Sequence, residues 1–178
     1  MGGIVMLSRI MTLASSAVLY TGLLAGVEVH TNPAHAQQFA PGNQLVNESA
    51  YAIGREDWRS AADFAEKAIR SGDLTLENVP PAYNNLCIAL TGERKFSEAI
   101  DACNKAVELR PRQWSFYNNR ANIYFYQGNF DRALAEYYKA MAFNSDGSVL
   151  MHNIGVTLEY RKLRGQRLGI SSTPEISS

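Results

Sequence analysis

The sequence predicts an all-α protein, an α-solenoid of antiparallel helix pairs in which about three pairs are followed by a single C-terminal capping helix. Three observations support this prediction. The tripeptide Tyr-Asn-Asn occurs at residues 83–85 and again at 117–119, 34 residues apart. The sequence around it repeats in the same register without gaps, and the apolar residues of each copy recur at helical spacing.

Each copy predicts two helices. A glycine-containing break, "TGERKF" in the first copy and "YQGNF" in the second, separates two stretches of helical periodicity, which is typical of helices joined by a short turn. Small residues would allow the paired helices to approach closely. They occupy equivalent positions in the two copies: Cys87, Ala99 and Ala106, then Ala121, Ala133 and Ala140.

Two weaker copies flank these. Upstream, "EDWRSAADFAEKAI" fits the second-helix pattern and "SGDLTLENVPP" adds four loop residues; downstream, "MHNIGVTLEY" fits a first helix with no second one after it. A solenoid needs such a terminal cap because each unit leaves an apolar face. The predicted domain covers 43–164, with repeats at about 42–79, 80–113 and 114–147, a cap at 148–164 and a disordered serine-rich tail at 165–178.

These positions resemble the tetratricopeptide repeat (TPR), whose 34-residue unit has aromatic, small and proline positions at fixed places. The chain departs from the family pattern at Arg120, where the family has leucine, and at Ser145, where it has proline. The resemblance implies a right-handed superhelix with a concave groove lined by the first helices. The pattern appears as Tyr83, Leu86, Cys87, Leu90, Ala99, Cys103, Ala106 and Pro111, and again as Tyr117, Ala121, Tyr124, Ala133, Tyr137 and Ala140.

The resemblance implies a peptide-binding site in this groove. One column of the groove stripe is asparagine in every unit, at positions 47, 85, 119 and 153. An asparagine amide offers donors and an acceptor, so a row of them can pair with an extended peptide backbone, as in the similar asparagine ladder of the O-linked N-acetylglucosamine transferases. The predicted binding residues are Asn47, Asn84, Asn85, Ile88, Asn118, Asn119, Asn122, Tyr126, His152, Asn153 and Tyr160.

A second role for the asparagines stays open, because they can equally bond helix ends or neighbouring helices. The lysines and arginine of the chaperone-tail clamp found in some family members are missing, since those places hold Val46, Ala50, Ser115 and Asn119. Four cations, Arg161, Lys162, Arg164 and Arg167, end the cap helix, where they suit the helix dipole or an anionic partner.

Catalysis is not expected. Once the predicted signal peptide is removed, His152 is the one histidine left, and the sequence contains no phosphate loop, zinc pattern or nucleophile motif. We therefore predict a non-enzyme without cofactor or metal. Cys87 and Cys103 have two readings, either two small buried residues or a disulfide across one helix pair, although the two places are roughly one turn out of register.

Residues 1–36 have the layout of a cleavable secretory signal peptide. Arg9 precedes an apolar run from Ile10 to Val27, and Ala34 and Ala36 form a small-x-small cleavage site. Cleavage after Ala36 predicts a periplasmic or secreted protein with a linker at 37–42. An uncleaved membrane anchor is the alternative, because the apolar run is about long enough to cross a bilayer.

The charge of the chain is balanced. The chain has 17 basic and 17 acidic side chains, and the signal segment removes one of each, so bulk charge favours neither nucleic acid nor a membrane surface. The sequence predicts an adaptor in the bacterial cell envelope that binds an extended peptide or partner protein. The alternative is a structural subunit that self-associates or packs through its convex or end surfaces, and the oligomeric state stays undetermined.

Overall fold

The computed structural model describes residues 40–144 and 146–168, and this part of the chain contains seven α-helices and no strand. The predicted signal peptide, residues 37–39 of the linker, Ser145 and residues 169–178 of the predicted tail lie outside the described residues. The helices are α1 (Pro41–Gly54), α2 (Trp58–Ser71), α3 (Val79–Gly92), α4 (Phe96–Leu109), α5 (Trp114–Tyr126), α6 (Phe130–Met141) and α7 (Ser148–Arg167).

The helices form three pairs and a single final helix. Turns of three residues separate α1 from α2, α3 from α4 and α5 from α6, and the two helices of each pair pack along each other. Each pair packs on the next, and the first helices α1, α3 and α5 also contact one another in sequence. The predicted all-α solenoid of helix pairs is confirmed.

Two boundaries differ from the prediction. Helix α1 begins at Pro41, inside the predicted linker, because proline at the first helical position needs no backbone donor. Helix α7 continues to Arg167, beyond the predicted end of the cap at residue 164. Arg164 fastens this last turn by donating from Nη1 to the Gly128 carbonyl at 2.5 Å, and both arginines suit the negative end of a helix.

Small residues make the close helix contacts, as the repeat pattern predicts. Alanine allows two backbones to approach where any larger side chain would overpack the contact. The fully buried alanines of the three pairs are Ala61, Ala65, Ala68, Ala82, Ala89, Ala99, Ala106, Ala121, Ala133 and Ala140.

Arg120 departs from the apolar pattern without leaving a charge unpaired. Its Nε donates to the Glu136 carboxylate at 2.9 Å and its Nη1 donates to Asn104 Oδ1 at 2.8 Å. Glu136 is buried and also accepts from Lys139 at 2.7 Å. A buried carboxylate is tolerated when it is paired and hydrogen-bonded in this way, so Arg120 bonds α5 to both α4 and α6.

Cys87 on α3 and Cys103 on α4 are joined by a disulfide, with Cα atoms 5.1 Å apart. This distance lies inside the range that a bridge requires, and the expected offset of one turn is wrong. Cys87 lies five residues before the end of α3 and Cys103 seven residues after the start of α4. Both cysteines therefore lie near the middle of their helices, at similar distances from the turn that joins them.

The turn inside each pair has the same backbone shape. Its middle residue is left-handed in all three pairs, with φ of 59° at Glu56, 61° at Arg94 and 71° at Gly128. Glycine adopts this conformation without cost, whereas other residues pay a steric penalty. Only the third pair uses glycine here, and the second pair places an arginine side chain at this point.

Candidate functional site: the concave groove

The asparagines bond one first helix to the next. Asn119 Nδ2 on α5 donates to Asn84 Oδ1 on α3 at 2.8 Å, and Asn153 Nδ2 on α7 donates to Asn118 Oδ1 on α5 at 2.9 Å. Both bonds join residues 35 apart. Each therefore links an asparagine of the column to the residue that comes just before the column position in the preceding unit.

The bond between the first two first helices, α1 and α3, has a backbone acceptor instead of an asparagine side chain. Position 46 is valine and has no side-chain acceptor, and Asn85 Nδ2 donates to the Val46 carbonyl at 3.0 Å. Asn85 is only 8% exposed. Asn47, the first member of the column, is exposed on α1, and no first helix precedes it within the described residues.

The sequence leaves two roles open for the asparagines, peptide binding and bonding between helices. The structure shows the bonds between helices. Asn85, Asn119 and Asn153 each donate one N–H of the Nδ2 group to these bonds. The ladder therefore fixes the spacing of successive first helices. The sequence carried a signal for this, since asparagines at two adjacent positions in consecutive units fall 35 residues apart.

Two cavities open along the first helices. The larger has a volume of about 310 Å³ and the smaller about 220 Å³, and both are lined by Asn122 and Tyr126. The larger is lined by Trp58, Ile88, Thr91, Gly92, Arg94, Phe96, Asn119, Asn122 and Tyr126. The smaller is lined by Asn122, Phe125, Tyr126, Tyr137, His152, Asn153, Val156 and Thr157.

Six of the predicted groove residues line one or both of these cavities: Ile88, Asn119, Asn122, Tyr126, His152 and Asn153. The other five, Asn47, Asn84, Asn85, Asn118 and Tyr160, line neither cavity. Tyr160 instead packs edge-on against Phe125, with ring centroids 5.3 Å apart, and lies beside Phe130 at the C-terminal end of α7.

The position of Asn122 makes its amide group available to a ligand. Its Oδ1 accepts a hydrogen bond from the Tyr137 hydroxyl at 2.6 Å. Burial raises the pKa of Tyr137 to about 12, so this hydroxyl stays protonated and donates at ordinary pH. The Asn122 Nδ2 group has no partner among the described residues, and it borders both cavities as a free donor.

Sequence reasoning missed the far wall of the larger cavity. Trp58 and Phe96 begin the second helices α2 and α4, and their pattern assigned Trp58 to helix packing. The Trp58 indole instead lies against Gly92 so closely that a Cβ at this glycine would overlap the ring. Gly92 lies one 34-residue period before the predicted groove residue Tyr126, and a glycine at that groove position was the available signal.

Two of the four C-terminal cations contact the preceding helix pair. Arg161 forms an ion pair with Asp131 at 3.1 Å, and Arg164 lies over the Phe130 ring, 5.9 Å from its centroid. These contacts supply a structural reason for two of the four cations at this helix end.

Among the residues described, His, Cys, Asp and Glu form no cluster able to hold a metal ion. A search of the same residues for a helix long and apolar enough to cross a membrane finds none.

Comparisons with known proteins agree with this architecture. Residues 102–135 match the family described as Tetratricopeptide repeat. A DnaJ homolog subfamily C member 7 homolog from Dictyostelium discoideum is 31% identical over 100 residues. That match covers 56% of this chain and 18% of the relative, so the chain corresponds to a small part of that protein's length.

Two solved structures share the fold. The first TPR domain of human RPAP3 superposes with a TM-score of 0.63 at 16% identity, covering 71% of this chain and 96% of that domain. The TPR2B domain of yeast Sti1, in a complex with pHsp70, superposes with a TM-score of 0.60 at 21% identity, covering 70% of this chain and 98% of that one. The described part of the chain therefore has the tetratricopeptide-repeat fold.

Proposed function

We propose that the protein is a non-catalytic adaptor that binds an extended peptide segment of a partner protein in its concave groove, in the bacterial cell envelope. The observation that carries this proposal is the pair of cavities that meet at Asn122 and Tyr126. They offer aromatic walls and a free amide donor, the combination that orients a ligand in an apolar site.

The likeness to a neighbour that was solved in a complex supports a binding role. The Sti1 domain is recorded in a complex with pHsp70. The same groove in this chain lacks the clamp cations expected at Val46, Ala50, Ser115 and Asn119. Recognition would therefore rest on aromatic contacts and on Asn122 rather than on a row of lysines.

The envelope location rests on two features. The signal-peptide pattern ends at Ala36, and the Cys87–Cys103 bridge is chemistry that persists in oxidising compartments. N-terminal sequencing of the protein accumulated in cells tests this location. A start at Gln37 supports export, and retention of residues 1–36 argues for a membrane anchor.

The groove is tested with peptides selected from a random library by binding to the purified protein. Tyr126→Ala removes a 58% exposed aromatic side chain from both cavities. Tyr138→Ala is the matched control, because Tyr138 is similarly exposed (54%) but lies on α6, outside both cavities. We expect Tyr126→Ala to weaken binding by about tenfold, the effect of about 1.4 kcal/mol. Equal affinities for the two variants would place binding elsewhere.

A second candidate function is self-association through α7, and one observation favours it. Met151, Gly155 and Leu158 occupy the positions that a following helix covers in α3 and α5, and all three are exposed on α7. Light scattering on the purified protein separates the candidates. A dimer that Leu158→Glu converts to a monomer would support assembly, and a monomer at all concentrations would exclude it.

A further inference from the structure

The larger groove cavity combines an apolar wall with a single cation. Its lining includes the apolar and aromatic side chains of Trp58, Ile88, Phe96 and Tyr126 together with Arg94. These side chains come from the beginnings of two second helices and from two first helices, so the cavity spans parts of three repeats. Its volume of about 310 Å³ is at the small end for ligand pockets and suits one inserted side chain.

The charge around this cavity is unbalanced. Neither groove cavity is lined by a carboxylate, and Arg94 has no ion-pair partner among the described residues. The neighbouring Lys95 already pairs with Glu93 at 2.9 Å. Arg94 lies over the Phe96 ring, 5.5 Å from its centroid, which holds the guanidinium beside the cavity with its hydrogen-bond donors unused.

The backbone places Arg94 there. It occupies the left-handed middle position of the turn between α3 and α4, with φ of 61°, and Gly128 occupies the equivalent position in the next pair. An L side chain at this position carries a steric cost that glycine would avoid. Substitution by glycine therefore removes the cation and relieves the backbone at once.

We propose that this cavity is a specificity pocket: it receives a large apolar or aromatic side chain of the bound peptide, while Arg94 pairs with a carboxylate on the adjacent peptide residue. The Asn122 amide, bordering the same cavity, donates to a peptide carbonyl between them. This inference rests on the proposed peptide-binding function and adds the chemistry of the segment that is bound: an apolar residue flanked by acid.

The test uses short synthetic peptides of one framework, in which leucine, phenylalanine or alanine is followed by two glutamates or two glutamines. Their affinities for the purified protein are measured by fluorescence anisotropy at low and high salt. We expect the leucine and phenylalanine peptides with glutamate to bind about tenfold more tightly than the alanine peptide. We also expect high salt to reduce the preference for glutamate.

Arg94 is tested with two variants. Arg94→Gly should abolish the preference for glutamate over glutamine, which we expect to be about fivefold, while the midpoint of thermal unfolding stays level or rises. Arg94→Lys should keep most of that preference, because it keeps the charge. An unchanged glutamate preference in Arg94→Gly would overturn the inference.

Pocket occupancy has its own readout. In the Trp114→Phe background Trp58 is the single tryptophan, since the sequence has two, and an inserted apolar side chain should shift its emission to shorter wavelength. If peptides bind and Tyr126→Ala weakens them, but neither Arg94→Gly nor Trp58 emission responds, the groove function stands and the pocket assignment fails. If no peptide of the set binds while library-selected peptides do, the proposed apolar–acidic chemistry is wrong.

Discussion

Helices α3 and α7 use the same pattern in different surroundings. In α3, Cys87 and Leu90 are buried beneath α4, and Leu90 is only 4% exposed. The equivalent residues of α7, 68 positions further on, are Gly155, with open space beside its Cα, and Leu158, which is 37% exposed. The apolar face that packs against a following helix is therefore covered in α3, whereas the described residues leave it exposed in α7.

The difference arises where α3 ends and α7 continues. Helix α3 ends at Gly92, and the three-residue turn after it starts the second helix at Phe96. Helix α7 has Tyr160 and Arg164 at those two positions and runs on to Arg167 without a turn. The same face therefore contributes to the core in α3 and remains available for contacts in α7.

The largest expected effect comes from truncating the two equivalent leucines. Leu90→Ala should lower the free energy of unfolding by about 2–5 kcal/mol, because it leaves a cavity in a closed core. Leu158→Ala should cost less, about 1–2 kcal/mol, since Leu158 is already 37% exposed to water. Urea unfolding of both variants measures the difference. Equal losses would mean that another chain covers the α7 face in solution.

Reduction of the disulfide tests the same helix pair. The bridge closes a loop with a sequence separation of 16, for which the chain-entropy model gives about 3 kcal/mol. The reduced protein should lose about this amount of unfolding free energy, and the Cys87→Ala, Cys103→Ala double variant should resemble it. Alkylation before and after reduction, followed by mass measurement, reports the redox state. Two free thiols in protein from the native compartment would contradict the bridge.

The asparagine column should show a smaller contrast along its length. Asn85→Ala removes a buried bond to the Val46 carbonyl and should cost about 1–2 kcal/mol. Asn47→Ala, at an exposed position of α1, should change stability by less than about 0.5 kcal/mol. Chemical denaturation measures both. A stable Asn85→Ala protein with weakened peptide binding would restore the ligand role to this asparagine.

Two glycines provide a contrast in sign. Gly155→Ala should raise the unfolding free energy by about 0.5–1 kcal/mol, because alanine is the better helix former and meets no neighbour there. Gly128→Ala should lower it by about 1–2 kcal/mol, since its φ is 71°. Thermal unfolding of the pair checks both signs. A destabilised Gly155→Ala would show that the α7 face is occupied.

Periodicity made the fold predictable. The 34-residue repeat and its helical spacing depend on local geometry, so they predict the helix pairs and the buried alanines from Ala61 to Ala140. They also identify α7 as a cap. They do not predict how far α7 extends, because Arg164 gains its anchoring bond to Gly128 only when the fold brings them together.

The candidate site was only partly predictable, for a similar reason. The groove stripe grouped Ile88, Asn122, Tyr126 and His152, and these residues line the two groove cavities. The partner of an asparagine amide depends on the spacing and rotation between units, which the sequence pattern leaves undetermined. The cavity also depends on the packing of Trp58 on Gly92 and on the left-handed backbone of Arg94, which are tertiary features.

Photo-crosslinking in cells tests whether the groove at Tyr126 is the binding surface. A photo-crosslinking amino acid is placed in the protein in cells at Tyr126 in the groove, at Tyr138 on α6 or at Met151 on the bare face of α7. The account predicts adducts with a partner protein from Tyr126 and none from Tyr138. Adducts from Met151 alone, at twice the mass of the chain, would contradict it and establish self-association through α7.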